Sequence, residues 1–273
     1  MEVNLNTKFI KSPKNGIHKM KMLSVVFSFL LLLSQVGVAK SSEITLKNGD
    51  IIVFLGDSIT YGHKNRKTTF DPTGYVTQVG NSIKAAHPDW DVKVINAGVS
   101  GNKVTDLQKR LQTSVLDKKP TIVFIYVGIN DVWHWTMGKI IKAGGKGTTK
   151  EEFEAGLKDV IGRTKATGAQ VVLATPSTIG EKTDGSNPQD KMLDEYSNIS
   201  RKVAADEKVP LVDMRKAFLN YLKSHNPENK GKGILTVDGV HPQLEGDKLI
   251  ATEMLKVLGI PLVEPSVVPP EKK

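Results

Sequence analysis

Ile51-Ile52-Val53-Phe54-Leu55-Gly56-Asp57-Ser58-Ile59-Thr60 runs from five consecutive apolar residues straight into a small-polar turn. Apolar residues at every position, rather than every second one, predict a strand buried on both faces, and such strands belong to parallel sheets covered by helices. Short apolar, β-branched runs recur at residues 92–95, 122–127, 171–174 and 211–213, which gives five strands. Between them lie helical patterns. Phe153, Leu157, Val160 and Ile161 recur as on one helix face, and Thr149, three residues before Glu152, predicts a capping box at its start. Strand and helix in alternation, joined by right-handed crossovers, predict a three-layer α/β/α sandwich around a five-stranded parallel sheet.

Ligand sites of open α/β sheets lie outside the C-terminal ends of the strands, so chemistry is sought directly after each run. There stand Gly56-Asp57-Ser58, Asn96-Ala97-Gly98 and Gly128-Ile129-Asn130-Asp131. Ser58 falls at a strand-to-helix turn, where its hydroxyl can be exposed and its N–H can face an oxyanion; alone, it could equally cap the helix that follows. A base strengthens the case for a nucleophile. In Asp238-Gly239-Val240-His241-Pro242 a carboxylate three residues before an imidazole can reach it across a tight turn, set its tautomer and stabilise the imidazolium. Pro242 suits the first position of a following helix. Gly98 can offer a backbone N–H and Asn130 a side-chain amide to an oxyanion, although a tight turn and a helix cap are equally good accounts of each by itself.

In this order, Ser58, Gly98, Asn130 and His241 resemble the four blocks of the SGNH hydrolases, the GDSL esterase and lipase family. The resemblance spans residues 50–258, with Ile59 where the family name implies leucine. It implies a flavodoxin-like fold, ester hydrolysis without metal or other cofactor, and an oxyanion hole made of the backbone N–H groups of Ser58 and Gly98 and the side chain of Asn130. Ser58 would attack the ester carbonyl while His241 takes its proton, with Asp238 behind the imidazole. Asp57 is read as a structural hydrogen-bonding residue.

Other signals fail. Gly145-Lys146-Gly147-Thr148-Thr149 lacks the glycine spacing of a phosphate loop, no paired-histidine spacing supports a metal cluster, and Thr60 occupies the last position of a Gly-x-Ser-x-Gly elbow. Wide loops are expected over residues 133–149 and 175–190. Trp133 and Trp135, flanking His134, would wall the substrate site and stack on a sugar ring, so the expected substrate is a small-molecule or polysaccharide ester, with removal of acetyl or other short acyl groups from a carbohydrate. The polar, glycine-rich stretch 139–149 suits a flap better than an acyl tunnel. A lysophospholipase-like lipid acyl hydrolase and a non-catalytic carbohydrate-binding protein are the alternatives.

The ends of the chain read differently. Lys19 and Lys21, the apolar run 22–33 and Gly37-Val38-Ala39 follow the layout of a secretory signal peptide, with translation starting at Met1, Met20 or Met22 and cleavage after Ala39. The run, interrupted by Ser24 and Ser28, is short for a spanning helix, so no stable membrane insertion is expected after cleavage. The organisation is therefore a leader over 1–39, one hydrolase domain over 40–260 and a Pro-rich tail over 261–273. Without the leader's five lysines and one glutamate, 33 basic face 28 acidic residues, a net charge of +5. They are interspersed rather than gathered in a stripe, which argues against nucleic-acid binding. The absence of cysteine excludes disulfides, a thiolate nucleophile and a lipid-modified N-terminal cysteine. A secreted or periplasmic protein is expected.

Overall fold

The structure, a computed structural model, describes residues 44–62, 73–137 and 146–263, all within one compact unit, Ala39–Lys273. The expected leader, most of the expected flap and tail residues 264–273 lie outside the described residues.

Five parallel strands, β1 (Ile51–Gly56), β2 (Lys93–Gly98), β3 (Ile122–Tyr126), β4 (Gln170–Ala174) and β5 (Leu211–Val212), form one sheet in the order β2-β1-β3-β4-β5. The helices are α1 (Ser58–Tyr61), α2 (Tyr75–Ala86), α3 (Val104–Ser114), α4 (Ile129–Met137), α5 (Lys150–Lys165), α6 (Asp190–Asp206), α7 (Met214–His225) and α8 (Leu244–Lys256). Helices α3, α5 and α6 pack in succession on one face, and α2, α8 and α7 on the other. The three-layer sandwich is thus as expected, with the flavodoxin-like strand order. No helix among the described residues is long and apolar enough to cross a membrane.

The apolar runs explain the sheet's centre. Every residue of β3 and Ile52 to Leu55 of β1 are buried, and Phe54 stacks on Phe124 with ring centroids 4.7 Å apart. The capping box of α5 forms as read: Thr149 N donates to Glu152 Oε2 at 2.7 Å and Glu152 N to Thr149 Oγ1 at 3.2 Å. Phe153, Leu157, Val160 and Ile161 are fully buried.

Three expectations need correction. Strand β2 runs on through Asn96, Ala97 and Gly98, because that block stays paired with β1 as far as Gly56 opposite Gly98. Gly98 permits this by close approach: a Cβ there would lie 2.2 Å from Tyr61 N of α1. The segment from Trp133 is not a loop at its start but the body of α4, whose Ile129 and Val132, three apart, are both buried. Pro242 does not begin α8; it bridges to Thr236, and Gln243 precedes the helix at Leu244.

From β1 the chain crosses to β2 on one side, whereas β3 leads away toward β4 and β5 on the other. A crevice therefore opens beyond the C-terminal ends of β1 and β3, where α1 and α4 begin with Ser58 and Ile129. The floor is tightly packed. A Cβ on Gly56 would meet Thr60 Oγ1 at 2.1 Å and Tyr126 O at 2.6 Å. Gly56→Ala should therefore destabilise the fold by about 1–3 kcal/mol, as overpacking does, measured as a lower urea midpoint; an unchanged midpoint would show that the strand end can yield.

Candidate active site

Ser58 is the first residue of the single-turn helix α1, and the cap is its neighbour: Asp57 Oδ1 accepts from Ile59 N at 2.9 Å. The Ser58 hydroxyl is thereby released from capping. Its Oγ lies 2.9 Å from Nε2 of His241, a residue 183 positions along the chain. On the far side of the imidazole, Nδ1 lies 2.7 Å from Asp238 Oδ2. Asp238 Oδ1 accepts from Val240 N at 2.9 Å and His241 N at 2.8 Å, so one carboxylate both folds the turn and meets the ring. Burial raises the Asp238 carboxyl's pKa, but the hydrogen bonds from the His241 side chain and from the two amides outweigh it and hold the group below its ordinary range. An ionised Asp238 favours the proton on Nδ1, which leaves Nε2 to accept the Ser58 proton.

The Ser58 N–H, at the first position of α1, has no acceptor within its own helix. Asn130, buried as the second residue of α4, gives one amide hydrogen to Asn102 O at 3.0 Å and has a second to offer. The Gly98 N–H is engaged, donating to Asn96 Oδ1 at 2.9 Å, while Asn96 Nδ2 donates to Thr60 O at 2.6 Å. Asn96 therefore ties the end of β2 to α1, and a ligand oxygen would have to share or displace its bond to Gly98.

Arg110 of α3 belongs to none of the sequence blocks that mark the site. Its guanidinium donates to Gly56 O at 2.7 Å, Ala97 O at 2.8 Å and Asn102 Oδ1 at 2.5 Å. It thus clamps the ends of β1 and β2 to the residue whose carbonyl holds Asn130. In the sequence, Arg110 lies beside Lys109 on an amphipathic helix and reads as solvated surface; only the crossover of α3 over the sheet brings it beneath the site.

Two acids are buried there as well. Asp131 accepts from Val104 N at 3.1 Å and Thr148 Oγ1 at 2.7 Å, and its carboxyl is pushed up to about 6 chiefly by burial. Asp57 is pushed up to about 7, first by burial and further by the charge of Asp131, against the pull of the Ile59 amide and Arg110.

The aromatic residues separate. Trp133 sets its ring edge-to-face with His241, centroids 6.1 Å apart at 62°. Trp135, two residues on and so roughly opposite on the helix, donates from Nε1 to Thr148 O at 3.0 Å and borders a different hollow with Met192 and Tyr196. The single wall containing both tryptophans is therefore corrected: helical geometry sends one to the imidazole and the other toward α5 and α6. The cleft at the hydroxyl, about 190 Å³, is lined by Ser58, Gly62, Val237, His241 and Pro242.

The Asp57 shift has a consequence for stability. A carboxyl with an ordinary value of 3.8 raised to about 7 on folding holds an extra proton in the native state between those values. Its contribution is full below the lower value and is lost as pH rises through the upper one. The urea midpoint should fall between about pH 4 and pH 7, and Asp57→Asn should flatten that fall in part, the remainder belonging to Asp131. An identical slope in the variant would refute this assignment.

The chain matches the GDSL-like Lipase/Acylhydrolase family over residues 54–249. It is 33% identical over 218 residues to an acetylxylan esterase of Geobacillus stearothermophilus, covering 78% of this chain and 95% of that protein. Among solved structures, the acetyl xylan esterase AlAXEase is similar with a TM-score of 0.68 and 39% identity, over 76% of this chain and 99% of the other. The acetylxylan esterase Axe2 of Geobacillus stearothermophilus is similar with a TM-score of 0.69 and 30% identity, over 79% and 97%. Family match, strand order and solved relatives agree: the chain belongs to the GDSL-like lipase/acylhydrolase family and is a carboxylic ester hydrolase.

Proposed function

We propose that this protein is an exported esterase that removes acetyl groups from carbohydrate esters, with Ser58 as nucleophile, His241 as general base and acid, and Asp238 as the residue that orients and charges the imidazole. The observation that carries the reading is the unbroken relay from Asp238 Oδ2 through both ring nitrogens of His241 to Ser58 Oγ. Ser58 Oγ attacks the ester carbonyl as its proton passes to Nε2. The tetrahedral oxyanion is received by the N–H of Ser58, the free amide hydrogen of Asn130 and, once released from Asn96, the N–H of Gly98. Collapse expels the sugar hydroxyl, which takes the proton from Nε2. Water, deprotonated by the same nitrogen, then attacks the acetyl-enzyme, and acetate leaves as Ser58 recovers its proton.

Two things support the acetyl and carbohydrate parts of the reading. The acetylxylan esterases are its relatives across nearly their whole length, and the cleft at Ser58 is small. Trp133, held beside His241, is the aromatic ring nearest the proposed reaction on which a sugar would stack. Export rests on Lys19, Lys21, the apolar run and Gly37-Val38-Ala39; N-terminal sequencing of protein recovered outside the cytoplasm should begin at Lys40, and an intact leader there would contradict it.

Ser58→Ala and His241→Ala should each lower kcat by about 10³-fold or more with the fold intact, and the double variant should lose little more, because the two act as one unit. Additive losses would show that they do not share a step. Asn130→Ala should lower kcat by about 10²-fold with KM little changed, since an oxyanion donor binds the transition state more strongly than the substrate. A pure KM effect would make it a substrate-binding residue instead.

Across p-nitrophenyl acetate, butyrate, octanoate and palmitate, kcat/KM should not climb with chain length, whereas an acyl tunnel would add about 0.8 kcal/mol per buried methylene. Acetate should also be released from acetylated xylan or xylo-oligosaccharides. If palmitate were the best ester and no sugar acetate were cleaved, the lipid-hydrolase alternative would replace this reading.

A further inference from the structure

Glu181 stands in the stretch between β4 and α6, outside every motif read in the sequence, and is completely buried. Its carboxylate faces three consecutive amides. Oε2 accepts from Ile234 N at 2.8 Å; Oε1 accepts from Leu235 N at 2.8 Å, Thr236 N at 2.5 Å and Thr236 Oγ1 at 2.6 Å. Burying a carboxylate is costly unless it is fully hydrogen-bonded, and here four donors converge on it, all from the segment that leads into Asp238 and His241.

The connection continues to those two residues. Thr236 Oγ1, whose hydroxyl donates to Glu181, accepts from Gly239 N at 3.0 Å, and Gly239 lies between Asp238 and His241. The carbonyl of Gly239 accepts from Gly180 N at 2.7 Å. The peptide groups of Glu181 are committed to the same region, its N–H to Gly231 O at 3.0 Å and its carbonyl to Asn226 Nδ2 at 2.8 Å. The His241 segment has little regular structure of its own; the bridge from Thr236 to Pro242 and the bond from Val237 N to His241 O close it into a small loop. What anchors that loop to the sheet side of the molecule is largely Gly180 and Glu181.

We infer that Glu181 is a positioning residue for the catalytic histidine: through Thr236 Oγ1 and the Gly239 N–H it sets the backbone of residues 238–241 so that His241 Nε2 faces Ser58 Oγ. The inference rests on the proposed roles of Ser58 and His241. Chemically the position calls for an acceptor-only group. Glutamine would present two N–H hydrogens to donors already aimed at it and would remove the charge that shortens these bonds. A displacement of the imidazole of about 1 Å, made far from the reacting atoms, is enough to cost up to about 10²-fold in rate.

The test compares Glu181→Gln, Thr236→Val and Thr236→Ser with the wild-type protein and with Ser58→Ala. Near-ultraviolet circular dichroism and urea titration give the folded fraction; kcat and KM for p-nitrophenyl acetate, and the rate of fluorophosphonate labelling of Ser58, are then taken per folded molecule. Glu181→Gln and Thr236→Val should lower kcat and the labelling rate in parallel, by about 10-fold or more, with KM changed by less than about two-fold. Thr236→Ser, which keeps the hydroxyl, should recover most of the loss. A purely structural Glu181 would lower the urea midpoint while leaving kcat and labelling of the folded molecules at wild-type values, and that result overturns the inference. So would equal rates in Thr236→Val and Thr236→Ser, which decide the matter even if Glu181→Gln does not fold. Turnover in Ser58→Ala would overturn the nucleophile assignment itself. An inactive Ser58→Ala beside a fully active Thr236→Val refutes only the role of Glu181.

Discussion

The hydrogen bond between Ser58 Oγ and His241 Nε2, 2.9 Å long, joins residues 183 positions apart, and its two ends are held by different devices. The serine end is part of the sheet. Strand β1 is paired on both sides as far as Gly56, Asp57 caps the turn, and the missing side chains of Gly56 and Gly98 let the ends of β1, β2 and β3 close around α1. A group mounted there moves only if the core moves. The histidine end is a loop held from within by Asp238 and Gln243 and from outside by the Glu181 carboxylate and the Gly180 N–H. The two halves of one chemical unit thus differ in how they would respond to heat, denaturant or mutation, with the loop expected to loosen first.

Beneath the crevice the fold accepts an electrostatic tension. Asp57 and Asp131 are both buried and both raised, and Arg110, a cation near Asp57, spends its hydrogen bonds on carbonyls and on Asn102 rather than on either carboxylate. Burial lowers the Arg110 pKa as well, partly offset by Asp106 and Asp57. Each group has a positional role: Asp57 orders the α1 turn, Asp131 ties α4 to the starts of α3 and α5 through Val104 and Thr148, and Arg110 joins two strand ends to Asn102. Such networks contribute more to a unique arrangement than to net stability.

How much of this was legible in the sequence depended on whether the signal was local. The strands at residues 51–56 and 122–126 were, because burial on both faces leaves an uninterrupted apolar run, and so was the capping box at Thr149, whose two partners are three residues apart. The pairing of Asp238 with His241 could be read for the same reason. Helix α4 was missed because Gly128 and Asn130 look like loop residues and its tryptophans like surface anchors, whereas its helical character comes from burying Ile129 and Val132. Arg110 and Glu181 were invisible. Their partners lie up to more than fifty positions away, and nothing in the neighbouring sequence distinguishes either from a solvated charge.

An acetyl group offers an enzyme little to hold. Its single methyl is worth on the order of 1 kcal/mol of burial, so on the proposed reaction most of the binding energy that orients the ester must come from the alcohol side. The crevice is consistent with that division. Val237 and Pro242 line the cleft at Ser58, and Val99, directly after Gly98, stands exposed beside the end of β2. On the proposed reading they suit a surface on which a sugar lies more than a tunnel into which a chain inserts. Specificity for the sugar and precision at the carbonyl would then reside in different layers of the same fold, the first in side chains free to vary at the rim and the second in strand ends, caps and buried charges that cannot shift without cost to the core.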